Sequence, residues 1–148
     1  MTSKTTPPLR EIYFAGGCFW GVEEYFSRVP GVLDTISGYA NSDIKDPSYE
    51  EVCSGTTGAA EAVRVVYDPA VVTLGILTRL FFKIIDPVSI NRQGNDRGSQ
   101  YRTGIYYTDG KDRAQIRPII AAVQKDHEKP LAVEFMALKS FYPAEDYH

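Results

Sequence analysis

Cys18 stands in the run Gly16-Gly17-Cys18-Phe19-Trp20-Gly21, and a thiol in that setting is a candidate nucleophile. Phe19 and Trp20 follow it directly and, at the start of a helix, point to different sides, so they could wall a pocket over the sulfur. Glu61 is the second candidate. It lies near the start of the stretch Ala60 to Tyr67, where Glu61, Val63, Val65 and Tyr67 share one face of a strand. A carboxyl at the edge of that apolar stripe loses water, which raises its pKa and keeps it protonated. A general acid working near neutral pH needs that state. The third candidate is the polar loop from Asn91 to Arg102, punctuated by Gly94 and Gly98. Loops that long without structure of their own tend to be functional or disordered. Each signal has a plain structural counterpart. The cysteine can be a buried structural one between core aromatics, the glutamate can bend out to water, and the loop can be a solvated surface.

These residues need elements to position them. Ile12-Tyr13-Phe14-Ala15 has the content of a buried strand, and Phe19, Val22, Phe26 and Val29 recur at helical spacing, which predicts a helix from Phe19 to Val29. Cys18 therefore falls where a strand hands over to a helix, beside unpaired backbone N–H groups and the positive end of the helix dipole, a setting that favours a thiolate. Val32 to Ala40 reads as a second strand and Asn41 to Pro47 as a turn-rich loop, followed by Tyr49-Glu50-Glu51-Val52-Cys53 and a loop from Ser54 to Gly58. The strand from Ala60 to Tyr67 closes at Asp68-Pro69. Thr73 is a plausible N-cap for a helix with the stripe Leu74, Leu77, Phe81 and Ile84. Thr103 to Thr108 predicts a strand. Asp109 to Glu128 predicts a helix that Pro118 must kink or nearly begin, and Val133 to Lys139 a last strand before the aromatic tail Ser140 to His148. Strands and helices alternate loosely, which predicts an α+β chain folded as a two-layer α/β sandwich with one sheet.

The 148 residues make one domain of ordinary size, and 43% hydrophobic with 24% charged residues is the composition of a soluble globular protein. A net charge of −3 gives no electrostatic reason to expect nucleic acid or an anionic membrane as partner. The longest apolar run is too short to span a bilayer. Met1 to Arg10 is polar, contains Pro7-Pro8 and lacks the apolar stretch of a secretory signal, so residues 1–10 read as a flexible leader before a domain over 11–148. Two cysteines without an export signal argue for reduced thiols in the cytoplasm. No metal-ligand spacing is present, since neither His127 nor His148 has a cysteine or carboxylate neighbour that makes a site. The glycines of the 91–102 loop make no phosphate loop, because no Gly-Lys-Ser/Thr follows them.

Taken together, the motifs resemble those of the peptide methionine sulfoxide reductase A family, which reduces the S epimer of methionine sulfoxide. Besides Gly16 to Gly21, the blocks Pro47-Ser48-Tyr49-Glu50-Glu51-Val52-Cys53-Ser54-Gly55, Ala60-Glu61-Ala62-Val63 and Tyr67-Asp68-Pro69 match in order. So do Gln93 to Arg102 and Phe141 to His148, and the likeness runs from about Ile12 to the last residue. The resemblance implies a mixed sheet with a ferredoxin-like core. It also implies roles: Cys18 as nucleophile, Phe19 and Trp20 as the apolar pocket for the substrate methyl, and Glu61 as the acid. Tyr49, Asp96 and Tyr101 fall where the family places groups that bind the sulfoxide oxygen or order the site. No bound cofactor is implied. The expected partners are oxidised proteins or free methionine sulfoxide and an external thiol reductant such as thioredoxin, glutaredoxin or a small-molecule thiol, with the enzyme a monomer.

The departures concern recycling. Family members commonly carry one or two resolving cysteines in a C-terminal extension, and this sequence ends at His148 without them. A trimmed or fused chain and a one-cysteine type regenerated by an outside thiol both remain open. Cys53 is the sole internal candidate for resolution, against a reading in which it is structural and buried. Ala59 and Ile85 stand where the family often has histidine, and Asn41-Ser42 replaces a glycine pair, a change expected at the cleft rim. A cysteine hydrolase fits poorly, because His127 sits in a charged run and His148 is terminal. A non-catalytic thiol redox sensor or methionine sulfoxide binding module is the remaining alternative.

Overall fold

The computed structural model describes residues 8–55 and 57–144. The first seven positions of the leader expected over residues 1–10, and the last four of the aromatic tail, lie outside the described residues. Strand β1 (Arg10–Gly16) is buried from Ile12 to Ala15, on both of its faces, which is why four apolar residues run there without alternation. Helix α1 (Phe19–Ser27) buries Phe19, Val22 and Phe26, the predicted stripe, while Val29 lies just beyond its end and still packs on the core. Strand β2 (Val32–Ala40) matches its predicted range. Tyr49–Cys53 is a helix, α2, begun by a capping box in which Ser48 Oγ accepts from Glu51 N and Glu51 accepts from Ser48 N. Strand β3 (Ala60–Tyr67) also matches, and α3 (Leu74–Lys83) starts on the Thr73 cap, whose Oγ1 accepts from Ile76 N at 3.1 Å.

The stretch expected as a long loop carries structure of its own. β4 (Arg92–Gln93) and β5 (Asp96–Arg97) form a small hairpin, and Ser99–Tyr101 makes a 3-10 turn. β6 (Thr103–Tyr107) follows, then a 3-10 turn over Gly110–Asp112 and α4 (Arg113–Lys125). Pro118 sits inside α4 and is exposed, with Ile116 and Ile119 on the buried side. β7 (Glu134–Ala137) and β8 (Phe141–Pro143) complete the order, and β8 turns the start of the supposed tail into an edge strand.

The elements β1, α1, β2, β3, α3 and β6 give the spatial strand order β6-β1-β3-β2 with every neighbour antiparallel, a ferredoxin-like core. β7 adds to β6 in parallel and β8 adds to β2 antiparallel, so among the described residues the sheet has six strands and is mixed. On one face, residues of α1, α3 and α4 pack against β1 and β3, with the Phe14 ring stacked 4.9 Å from both Phe26 and Phe81. On the other, Tyr13, Ala15, Ala40, Ala60, Ala62 and Tyr106 are covered by Met136, Leu138 and Phe141. Ala59 and Ile85 both belong to the helix-side apolar core.

Asn41 does more than edge a cleft. It adopts a φ of 57°, a conformation that asparagine tolerates far better than most residues. Its N–H donates to Ser140 O at 2.8 Å and its Oδ1 accepts from Lys139 N at 2.7 Å, which ties the β7–β8 connection to the end of β2. Asn41→Ala loses both the side-chain bond and the easy backbone, and should cost about 2 kcal/mol in urea unfolding. Asn41→Gly keeps the backbone and should cost about half as much, with unchanged m. Equal losses in the two variants would show that the left-handed backbone carries no part of the effect.

Candidate active site

Strand register gathers the site at one end of the sheet. Gly16 pairs with Thr103, Ala40 with Ala60 and Tyr39 with Glu61. Four segments therefore meet: the β1–α1 turn bearing Cys18, the start of β3 bearing Glu61, the end of β2 bearing Tyr39, and the 3-10 turn bearing Tyr101.

Cys18 occupies the N-cap position of α1 with an extended backbone, and its side chain makes no capping bond. It is exposed. The residue before it, Gly17, has a φ of +91°, and a Cβ there would lie 2.8 Å from the Cβ of Gln93. Glycine is thus required twice, by the turn and by the contact. Gln93 is itself fixed, because its side-chain amide exchanges two bonds with the backbone of Asp86, at 2.8 Å to the N–H and 2.9 Å to the carbonyl. Through Gln93 the 91–102 segment is keyed to the turn that presents the thiol.

Glu61 is 1% exposed. Its Oε1 accepts from the backbone N–H of Phe19 at 3.2 Å, while Oε2 is buried and has no hydrogen-bond partner among the described residues. Burial pushes its carboxyl up to about 7, the Phe19 N–H pulls it back in part, and the charge of Asp96 pushes it up further. The apolar face read from the sequence is real, since Val63, Val65 and Tyr67 lie in the core beside it.

Tyr101, Tyr49 and Asp96 gather around the same carboxyl. Burial first, then the charges of Glu61 and Asp96, holds the Tyr101 phenol above its ordinary value. Tyr49 on α2 is raised as well, chiefly by its hydrogen bond to Cys53 and then by the charges of Cys53 and Tyr101. Both phenols keep their protons at neutral pH and remain donors. Cys53 is exposed, beside Tyr49, and this corrects the expectation of a buried structural cysteine. Val52, not Cys53, is the residue of α2 that enters the core.

The aromatics divide their work. Phe19 is buried, its ring centroid 4.6 Å from that of Trp20 and 5.5 Å from that of Tyr39, and Trp20 is only half-buried. Cys18 and Asp96 open together onto a cleft of about 380 Å³ whose other walls include Val22, Tyr25, Ile84 and Gln93. A second cleft, of about 420 Å³, lies at the opposite end of β1, around Arg10, Glu11, Arg64, Asp109 and Asp112. There Arg10 pairs with Asp109 and Asp112, and Arg64 with Glu11. That end holds paired charges and no thiol. His127 points Nδ1 at Val123 O, 3.0 Å away, at the end of α4 and away from the site. Among the described residues no cluster of three or more His, Cys, Asp or Glu could hold a metal ion, and no helix is long and apolar enough to cross a membrane.

Reading the sequence alone left out Tyr39 and Gln93. Tyr39 is placed by strand pairing, which no local pattern encodes, and Gln93 is one polar residue among many in its segment.

An exposed thiol at a strand-to-helix turn, a buried carboxyl with a raised pKa held by the residue next to it, and two phenolic donors define a thiol oxidoreductase type of site. The match to known proteins is direct. Residues 10–148 match the family model described as peptide methionine sulfoxide reductase. The chain is 54% identical over 140 residues to the peptide methionine sulfoxide reductase MsrA of Clostridium botulinum (strain Okra / Type B1), covering 95% of this chain and 89% of that protein. Its fold is similar to that of Mxr1 from Saccharomyces cerevisiae in reduced form, with a TM-score of 0.89 at 38% identity, covering 98% of this chain and 85% of that one. It is also similar to Mxr1 in complex with Trx2, with a TM-score of 0.70 at 28% identity over 98% and 88% of the two chains. The chain belongs to the peptide methionine sulfoxide reductase family.

The raised Glu61 carboxyl has a consequence for stability. Between its ordinary value of 4.5 and about 7 the folded state binds a proton that the unfolded state has lost, so this group's contribution falls as pH rises through that window. Glu61→Gln, which is neutral throughout, should therefore gain stability relative to the parent on going from acid to mildly alkaline solution. The relative gain should be about 3 kcal/mol, read from urea unfolding on either side of the window. A stability difference independent of pH would show that Glu61 titrates as an ordinary carboxyl.

Proposed function

We propose that this chain reduces the S epimer of methionine sulfoxide, free or protein-bound, to methionine, with Cys18 as nucleophile and Glu61 as acid. The observation that carries the reading is the buried Glu61 carboxyl, held by the backbone of the residue next to Cys18 with its second oxygen unpartnered. Sulfoxide oxygen is a poor leaving group, so attack by the Cys18 sulfur on the sulfoxide sulfur needs a proton delivered to oxygen. A neutral Glu61 supplies it from Oε2, and the hydroxyls of Tyr49 and Tyr101 donate to the same oxygen as charge builds there. Asp96 helps to keep Glu61 protonated. Trp20 offers the substrate methyl an apolar wall, and Phe19 backs it from within. The hand of the substrate follows from family membership, and a methyl wall facing an oxygen-binding group accounts for a preference of this kind.

The atoms balance simply. Cysteine thiol and methionine sulfoxide become cysteine sulfenic acid and methionine, as oxygen passes from one sulfur to the other. A first reductant thiol then condenses with the sulfenic acid, releasing water and forming a mixed disulfide, and a second thiol releases Cys18. The Mxr1 complex with Trx2 supports a protein thiol reductant of the thioredoxin kind, with glutaredoxin or a small thiol as substitutes. We assign the reductase domain to residues 11–148 together with Arg10, which the leader expected over residues 1–10 had included but which opens β1 and pairs with Asp109 and Asp112. It acts as a monomer in the cytoplasm, with Cys53 outside the catalytic cycle unless its Cα comes within roughly 7 Å of that of Cys18.

The test is a single turnover of S-methionine sulfoxide without reductant, with thiols counted before and after. One methionine per chain with one thiol lost, and a sulfenic acid trapped at Cys18, is the expected result. Loss of both thiols would make Cys53 the resolving residue, and no methionine at all would leave a sensor or binding module. Cys18→Ser should release none. Glu61→Gln should slow the step by about 100-fold or more. Because the acid must be protonated, the parent's rate should fall as pH rises past about 7, and that fall should vanish in Glu61→Gln.

A further inference from the structure

Arg102 closes the 91–102 segment and leads into β6, and its side chain is 17% exposed. Its guanidinium is held from four directions. Nη1 donates to the carbonyls of Ser99 at 2.8 Å and Ala59 at 3.3 Å, Nη2 to the carbonyl of Gly58 at 2.8 Å, and Nε to Glu134 Oε1 at 2.9 Å. The same Glu134 oxygen takes the Tyr106 hydroxyl at 2.6 Å, which fixes the anchor between β6 and β7. Gly58 and Ala59 are the backbone that enters β3 just ahead of Glu61. Ser99 opens the 3-10 turn that presents Tyr101. One planar group thus ties two segments that are some forty residues apart and carry the acid and a phenolic donor.

We propose that Arg102 is a positioning residue for the reductase site: its guanidinium fork fixes the entry of β3 against the Ser99–Tyr101 turn and so sets Glu61 relative to Tyr101 and Cys18. The clamp itself is independent of the reductase reading, but its effect on turnover rests on it. Lysine cannot replace this fork, because its ammonium is a point charge and cannot present a planar set of donors to three carbonyls. The charge of Arg102 is matched by Glu134, and the groups that act on Glu61 are Asp96 and the Phe19 N–H, while Glu61 in turn acts on the Tyr49 and Tyr101 phenols. Arg102→Lys keeps the positive charge, so a change it causes at Glu61 reports geometry.

The experiment compares the parent, Arg102→Lys and Glu134→Gln by two readouts. One is kcat and KM for S-methionine sulfoxide with excess dithiol. The other is the titration midpoint of the Glu61 carboxyl by carbon-13 NMR, assigned by its loss in Glu61→Gln. Arg102→Lys should lower kcat about 10- to 100-fold with KM changed less than about twofold, the penalty of a misplaced acid. Its Glu61 midpoint should move down toward the ordinary range as water reaches the carboxyl. Glu134→Gln should move both readouts the same way by less, and it decides the matter if Arg102→Lys does not fold. Parental kcat and midpoint in a folded variant would overturn the proposal. So would a loss of kcat that only tracks the folded fraction while the midpoint stays put. If the parent itself does not turn over, the reductase reading fails, and the Glu61 midpoint still judges the clamp.

Discussion

The bond from the Phe19 N–H to Glu61 Oε1 joins the first residue of α1 to the start of β3, and the site depends on it. A helix begins with N–H groups that have no partner inside the helix. Here Cys18 holds the N-cap position but makes no capping bond, and Glu61 accepts the N–H of the residue that follows it. The division of labour matters chemically. The thiol stays free and exposed, while the carboxyl is pinned beside it by an oxygen that still acts as an acceptor when the group is protonated. When the group is protonated, Oε2 is the oxygen left to carry the proton, since it has no partner among the described residues.

That bond can form only because the sheet brings its ends together. β1 runs toward Gly16 and β2 toward Ala40, while β3 and β6 start from the same side. In an antiparallel core of this order, the end of each helix-bearing strand lies beside the beginning of its neighbour. Two local devices set the fine placement. Gln93 presses on Gly17 and holds the hairpin that carries Asp96, and Arg102 spans the entries to β3 and β6. Both act on backbone atoms, so the position of the chemistry is fixed by main chain more than by packing of the catalytic side chains.

Much of this was legible in the sequence where a pattern is long enough to repeat. Four apolar residues in β1, the parity of β3, the α1 stripe and the Thr73 cap each predict an element the structure contains, and the parity of β3 set Glu61 at the edge of the core-facing stripe while leaving open whether it was buried or bent out to water. Short elements were missed for a physical reason. α2 has five residues, too few to show a helical period, though Ser48 and Glu51 had the spacing of a capping box. The two-residue strands of the hairpin and the three-residue β8 are set by tertiary pairing. Cys53 was misplaced for the same cause, because without a helix there is no way to see that Val52 takes the inward side. Arg102 left no trace, since three of its partners are carbonyl groups that every residue possesses.

A folded chain that keeps Glu61 out of water works against its own stability at neutral pH. The group binds a proton that it would lose on unfolding, and its free oxygen is buried without return. Simple packing would favour an apolar residue there, as at Val63 and Val65 on the same face. The surroundings behave as a cage built against that cost: a bond from the α1 backbone, phenols that hold their protons, and an arginine whose donors go to three main-chain carbonyls and Glu134 instead of to Glu61. That last choice is decisive. An arginine turned toward Glu61 would have stabilised the fold by ionising it, and would have removed the proton that the proposed reduction draws on.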